Sequence, residues 1–146
     1  MVADSRDFTL DISEPLFRLT TEGIRLHSNE TLHYQTLSNL VDHQTSRADR
    51  IGDHDTSTLK EHLVSIPSDG SIRLNLNISR TSVKNLDEVK KLLSRQLGSE
   101  LTVADTLSIL LFDYVVEQKT ACIMEKLDLH GLERSERSDF ANGGSS

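Results

Sequence analysis

The sequence predicts a mainly α fold with one short β-strand, and three observations carry that expectation. Between Ser71 and Arg80, Ile72, Leu74, Leu76 and Ile78 alternate with Arg73, Asn75 and Asn77, so a strand there has one aliphatic and one polar face. Leu86, Val89, Leu93 and Leu97 then recur at helical spacing with Lys90, Lys91 and Arg95 on the outer side, and Gly98 supplies a stop. Thr102 and Asp105 form a capping box that opens a second helix, apolar around most of its circumference from Leu107 to Val116.

In chain order, residues 1–14 are polar apart from an alternation of Phe8, Leu10 and Ile12, as in a strand. Pro15, Leu16-Phe17-Arg18-Leu19, Thr21-Glu22-Gly23 and Ile24-Arg25-Leu26-His27 suggest a small hairpin across 16–27. Asn29 is placed to cap a helix carrying Leu37, Leu40 and Val41, ending near Asp42 to Gln44. Leu59 to Ile66 reads as a short helix or an extended arm, and Pro67-Ser68-Asp69-Gly70 is a turn marking a boundary. After the strand, Thr81 or Ser82, or Asn85 with Glu88, could cap the first main helix, placed at roughly 83–97. Helical spacing continues through Ile123, Met124 and Leu127, and the charged tail past Gly131 reads as disordered. The expected organisation is an N-terminal extension over 1–66, a strand-helix-helix module over 67–128 and a polar tail over 129–146.

Composition narrows the function classes. The chain has no cationic leader, and Ile109 to Val116, broken by Asp113, is too short to span a bilayer. A cytoplasmic protein without a membrane partner is expected. Cys122 is the single cysteine, so no internal disulfide forms. No glycine-rich phosphate loop or nucleophile motif is present, so neither an enzyme nor a cofactor is expected. His43, Asp49, Asp53, His54 and Asp55 are metal-ligand types, but their spacing fits no ligand motif and a polar loop is the simpler reading. The net charge of −7 argues against a protein that coats nucleic acid, yet residues 1–70 carry −6, residues 71–100 carry +3 and residues 101–146 carry −4. The strand and first helix form a basic island.

The polar strand face has base-reading chemistry, since Arg donates a hydrogen-bond fork to guanine and Asn pairs with adenine in the major groove. The second helix is too apolar to be covered by one short partner, which calls for a second copy of the chain. Together these features resemble the ribbon-helix-helix family of repressors and plasmid proteins over about residues 70–118. The resemblance implies an intertwined homodimer whose strands pair into an intermolecular antiparallel ribbon entering the major groove of double-stranded DNA, with further assembly on DNA allowed. It assigns base reading to Arg73, Asn75 and Asn77, and phosphate binding to the second helix start at Thr102, Val103 and Ala104. Ile72, Leu74, Leu76, Ile78, Leu107, Leu111, Tyr114 and Val115 would then form the dimer core. A transcriptional regulator or plasmid maintenance factor is the first reading. The alternative is an antitoxin-like module whose residues 1–66 or tail bind a partner protein. Ile24-Arg25-Leu26-His27 echoes Ile72-Arg73-Leu74-Asn75, but the N-terminal half lacks an apolar second helix, so a tandem repeat is not expected.

Overall fold

The computed structural model describes residues 5–47 and 54–140, the last thirteen of these by backbone alone. In order they form β1 (Ser5–Ile12), α1 (Glu14–Thr31), α2 (Leu37–Thr45), α3 (Thr56–Ser65), β2 (Ile72–Ser79), α4 (Arg80–Leu97) and α5 (Val103–Phe140). The chain divides into two units, Met1–Val115 and Val116–Ser146. In the second, Ile123, Met124 and Leu127 are exposed on a helix that runs past Gly131 to Phe140, where a disordered tail was expected from 129.

The first unit overturns the intermolecular ribbon. β2 pairs antiparallel with β1 of the same chain, from Ser5 opposite Ser79 to Ile12 opposite Ile72. Two strands and five helices replace the single strand and two-helix module expected to be completed by a second copy. The residues assigned to a dimer core are covered from within. Leu76, Ile78, Leu107, Leu111 and Tyr114 are at most 2% exposed and Val115 is buried, while Ile72 and Leu74 pack half-buried against the same cluster. Their partners include Ile12, Leu16, Leu37, Leu40, Val41 and Leu59, all from the segment read as an extension.

The N-terminal half repeats the C-terminal half at a constant spacing of 66 residues, the separation of Thr9 from Asn75. Both first helices, α1 and α4, have 18 residues. Ser13 Oγ accepts the Leu16 N–H at 3.1 Å and Ser79 Oγ accepts the Ser82 N–H at 3.2 Å, so each helix starts directly on a serine cap. The α4 start therefore lies at Arg80, ahead of the expected position near 83. Each of these helices stops on a left-handed residue, Leu32 at φ 58° and Gly98 at φ 73°. Ser28 Oγ accepts from Gln35 N–H and Ser94 Oγ from Leu101 N–H, both at 3.0 Å. Thr36 and Thr102 then cap α2 and α5, each accepting an N–H three residues on at 3.1 Å. The buried positions follow the same spacing: Leu16, Thr20, Gly23 and His27 on α1 match Ser82, Leu86, Val89 and Leu93 on α4. A tandem arrangement exists, with its register 66 residues apart and the expected hairpin at 16–27 replaced by α1.

Ribbon pairing has the same symmetry. Thr9 lies opposite Asn75, its own equivalent, while Asp7 faces Asn77 and Asp11 faces Arg73. Gln44 Nε2 donates to the Leu110 carbonyl at 2.9 Å, again a pair 66 residues apart. A pseudo-two-fold axis thus runs through the middle of the ribbon and between α2 and α5.

Two segments outside the repeat close the interior. The Pro67 to Gly70 turn locks onto the end of β1: Ser13 Oγ donates to the Pro67 carbonyl, Ser13 N–H to Ser68 O at 3.3 Å and Gly70 N–H to Asp11 O at 3.3 Å. The helix α3 adds Leu59 to the core and sets His62 on α5, its ring stacked on Phe112 at 4.3 Å and 2.8 Å from Ser108 Oγ. Burial lowers the His62 pKa below 6.5, opposed by the smaller effect of its hydrogen bond to Ser108. The unfolded chain therefore binds this proton more readily, so the stabilisation is complete above pH 6.5 and declines as pH falls through that value toward the lower folded pKa. Urea titrations across that window should show His62→Gln with a shallower acid loss of stability than the parent. Identical pH slopes would remove His62 from the account.

Candidate functional site

Six side chains form the outer face of the ribbon, and all are exposed: Asp7, Thr9 and Asp11 from β1, Arg73, Asn75 and Asn77 from β2. Strand alternation places them there, because Phe8, Leu10, Ile12, Leu74, Leu76 and Ile78 occupy the inward positions. Asp7, Thr9, Asn75 and Asn77 help to line a depression of about 370 Å3.

Each base-reading candidate has a cross-strand partner. Arg73 Nε lies 3.3 Å from Asp11 Oδ1, with both side chains more than half exposed. Thr9 Oγ1 donates to Asn75 Oδ1 at 3.2 Å. Asn77 Nδ2 donates to Asp7 Oδ1 at 2.6 Å and to Ser5 Oγ at 3.1 Å. These hydrogens are thereby engaged, and Asn77 Oδ1 is the atom left to accept from outside. The face is therefore a set of donor and acceptor pairs with a slight excess of carboxylate. Asp7, Thr9 and Asp11 were absent from the sequence-based site; their signal was the Phe8, Leu10, Ile12 alternation, which leaves Asp7, Thr9 and Asp11 on the other side of the same strand.

The proposed phosphate site at Thr102, Val103 and Ala104 stands at the start of α5, where first-turn amides lack intrahelical acceptors. Thr102 is exposed and the other two are half-buried. Its electrostatics are unfavourable to phosphate, since Asp105 Oδ2 accepts the Thr102 N–H at 3.1 Å and Ser68 Oγ donates to Asp105 Oδ1. At the equivalent start of α2, Asn39 stands in the place of Asp105, so that end lacks the carboxylate.

A second polar group lies inside. Asp113 accepts from His54 Nε2 at 2.5 Å and from Gln44 Nε2 at 2.9 Å. Tyr114, fully buried, donates to Glu30 Oε1 at 2.7 Å, and its hydroxyl lies 3.2 Å from His27 Nδ1. Among the described residues no three His, Cys, Asp or Glu side chains converge to hold a metal ion; Asp49 and Asp53 lie outside the described residues. His54 instead contacts Asp113, and this network ties α1, α2 and the approach to α3 onto α5. Among the described residues no helix is long and apolar enough to cross a membrane. No family model, curated protein or solved structure matches the chain.

Proposed function

We propose that the chain is a sequence-specific binder of double-stranded DNA, of the transcription-regulator kind, which lays its ribbon in the major groove. The observation that carries this reading is the ribbon face, where six exposed polar side chains stand on a two-stranded sheet whose apolar side chains pack half-buried or buried against the core. A two-stranded ribbon fits the major groove, and Arg, Asn, Asp and Thr are side chains that read base edges there. The likeness to ribbon-helix-helix proteins drawn over residues 70–118 is supported by the recurrence of strand-helix-helix order over residues 5–45. The acidic surface weakens attraction to phosphate, so affinity rests on base contacts to a larger degree than in a basic DNA binder.

Fluorescence anisotropy with a pool of random duplexes is the direct test, and retention at low ionic strength is the expected result. Arg73→Ala should fold normally, because the side chain is 68% exposed, while losing about 1–3 kcal/mol of discrimination between selected and unselected duplexes. Failure to bind any duplex at low salt would remove the reading.

A second reading, docking of a protein partner, is favoured by Asp7 and Asp11 on the ribbon and Asp105 at the start of α5. Both strands of a two-stranded sheet also have an unpaired edge, which a partner's strand can extend. Saturation of the ribbon by a protein, with no competition from duplex DNA, would select this reading.

A further inference from the structure

We infer that one chain reads a non-palindromic duplex in a fixed orientation, with the Asp11 and Arg73 pair reading a single G·C base pair at one end. The inference rests on the DNA-binding proposal and adds to it the sequence class that the ribbon selects.

The backbone of the ribbon is two-fold symmetric, but its chemistry is not. Positions related by the axis hold Asp11 and Asn77, Thr9 and Asn75, Asp7 and Arg73. One end therefore carries a guanidinium beside a carboxylate, and the other a carboxamide beside a carboxylate. Two identical strands would offer the same rung at both ends and select an inverted repeat. These strands cannot.

At the Asp11 end, the guanidinium and carboxylate lie side by side at 3.3 Å, both largely exposed. In the major groove a G·C pair presents guanine O6 and N7 as acceptors next to the cytosine N4 amine as donor. The rung has the complementary order, with Arg73 donating to guanine and Asp11 accepting from cytosine. An A·T pair places the thymine O4 acceptor and methyl group against Asp11, leaving the carboxylate without a donor. At the other end, the Asn77 amide hydrogens are held by Ser5 and Asp7, so Asn77 Oδ1 and the Asp7 carboxylate both accept. That rung selects bases whose exocyclic amines face it, cytosine N4 or adenine N6. The Asp11 and Arg73 rung, which carries a donor, and the Asp7 and Asn77 rung, which presents acceptors, give the ribbon a direction.

The test is selection from a random duplex pool by the full chain, repeated with Asp11→Asn, Arg73→Ala and the double variant, each checked for folding by circular dichroism. The expected consensus has no inverted repeat and a G·C pair near one end. Each single variant should lose about 10- to 100-fold discrimination at that same base pair, and the double variant should lose little more than either. An inverted-repeat consensus would overturn the inference and leave DNA binding standing. So would an Asp11→Asn variant that binds all duplexes more tightly with its consensus unchanged, which would make the carboxylate a source of repulsion only. Enrichment of no duplex by the parent chain would overturn the DNA-binding reading itself, and this inference with it.

Discussion

Leu76→Asp is expected to abolish the cooperative thermal transition of the protein and leave an unfolded chain at room temperature. Leu76 is 2% exposed on the inner face of β2, opposite Phe8. Losing its burial costs about 1.5–3 kcal/mol, and an unpaired carboxylate in its place costs several more. Together these approach the roughly 5–15 kcal/mol that stabilises a typical domain. Leu74→Asp, at a half-buried position two residues away, should cost less and retain a transition. In the parent, the melting temperature should not depend on protein concentration, because the covering partners of β2 belong to the same chain. A normally stable Leu76→Asp variant would refute the shared interior, and a concentration-dependent transition would reinstate a second copy.

Gly70→Ala is the second large effect expected, at about 3 kcal/mol or more and a fall in melting temperature of about 10 °C. A Cβ at Gly70 would stand 2.4 Å from both the Ile12 carbonyl oxygen and Ser13 Cα. Those are backbone atoms at the junction of β1 and α1, so no side-chain rotation relieves the clash. The control is Gly98→Ala, where nothing lies within 4 Å and only the left-handed φ of 73° is penalised, at about 1–2 kcal/mol. Equal melting temperatures for the Gly70→Ala chain and its parent would mean that the turn does not pass under the end of β1.

What could be read from the letters was local. The alternation of β2, the apolar positions of α4 and the Thr102 and Asp105 capping box all depend on neighbours in sequence, and the structure contains each of them. The helix α1 was hidden because Pro15, Thr20, Thr21 and Gly23 look like turn residues. In the structure Pro15 sits in the first helical turn, where no N–H is needed, and Gly23 faces Leu40 and Leu111. The repeat was hidden for a related reason. Where one half places Leu16, Thr20, Gly23 and His27 inward, the other places Ser82, Leu86, Val89 and Leu93, so matched positions differ in size and polarity. Only the caps and the strand alternation keep the pattern. The apolar surface of α5 pointed to a second copy of the chain, but it is covered from within the same chain, alongside buried polar residues including His27, Gln44 and Thr45, which periodicity does not flag. Arg73, Asn75 and Asn77 were legible as an outer face; the carboxylates beside them required knowledge of the strand register.

The 66-residue separation of the two ribbon strands also governs how the protein is made. When β1 and the helices after it leave the ribosome, their apolar side has no complement, because the matching strand has not been synthesised. At roughly 5–20 residues per second, that interval lasts about 3–13 s. During it the nascent N-terminal half carries an unpaired strand with Phe8, Leu10 and Ile12 on one side, a template for aggregation. The carboxylates of Asp7 and Asp11, whatever they touch in the finished molecule, oppose edge-to-edge association of such chains while translation proceeds.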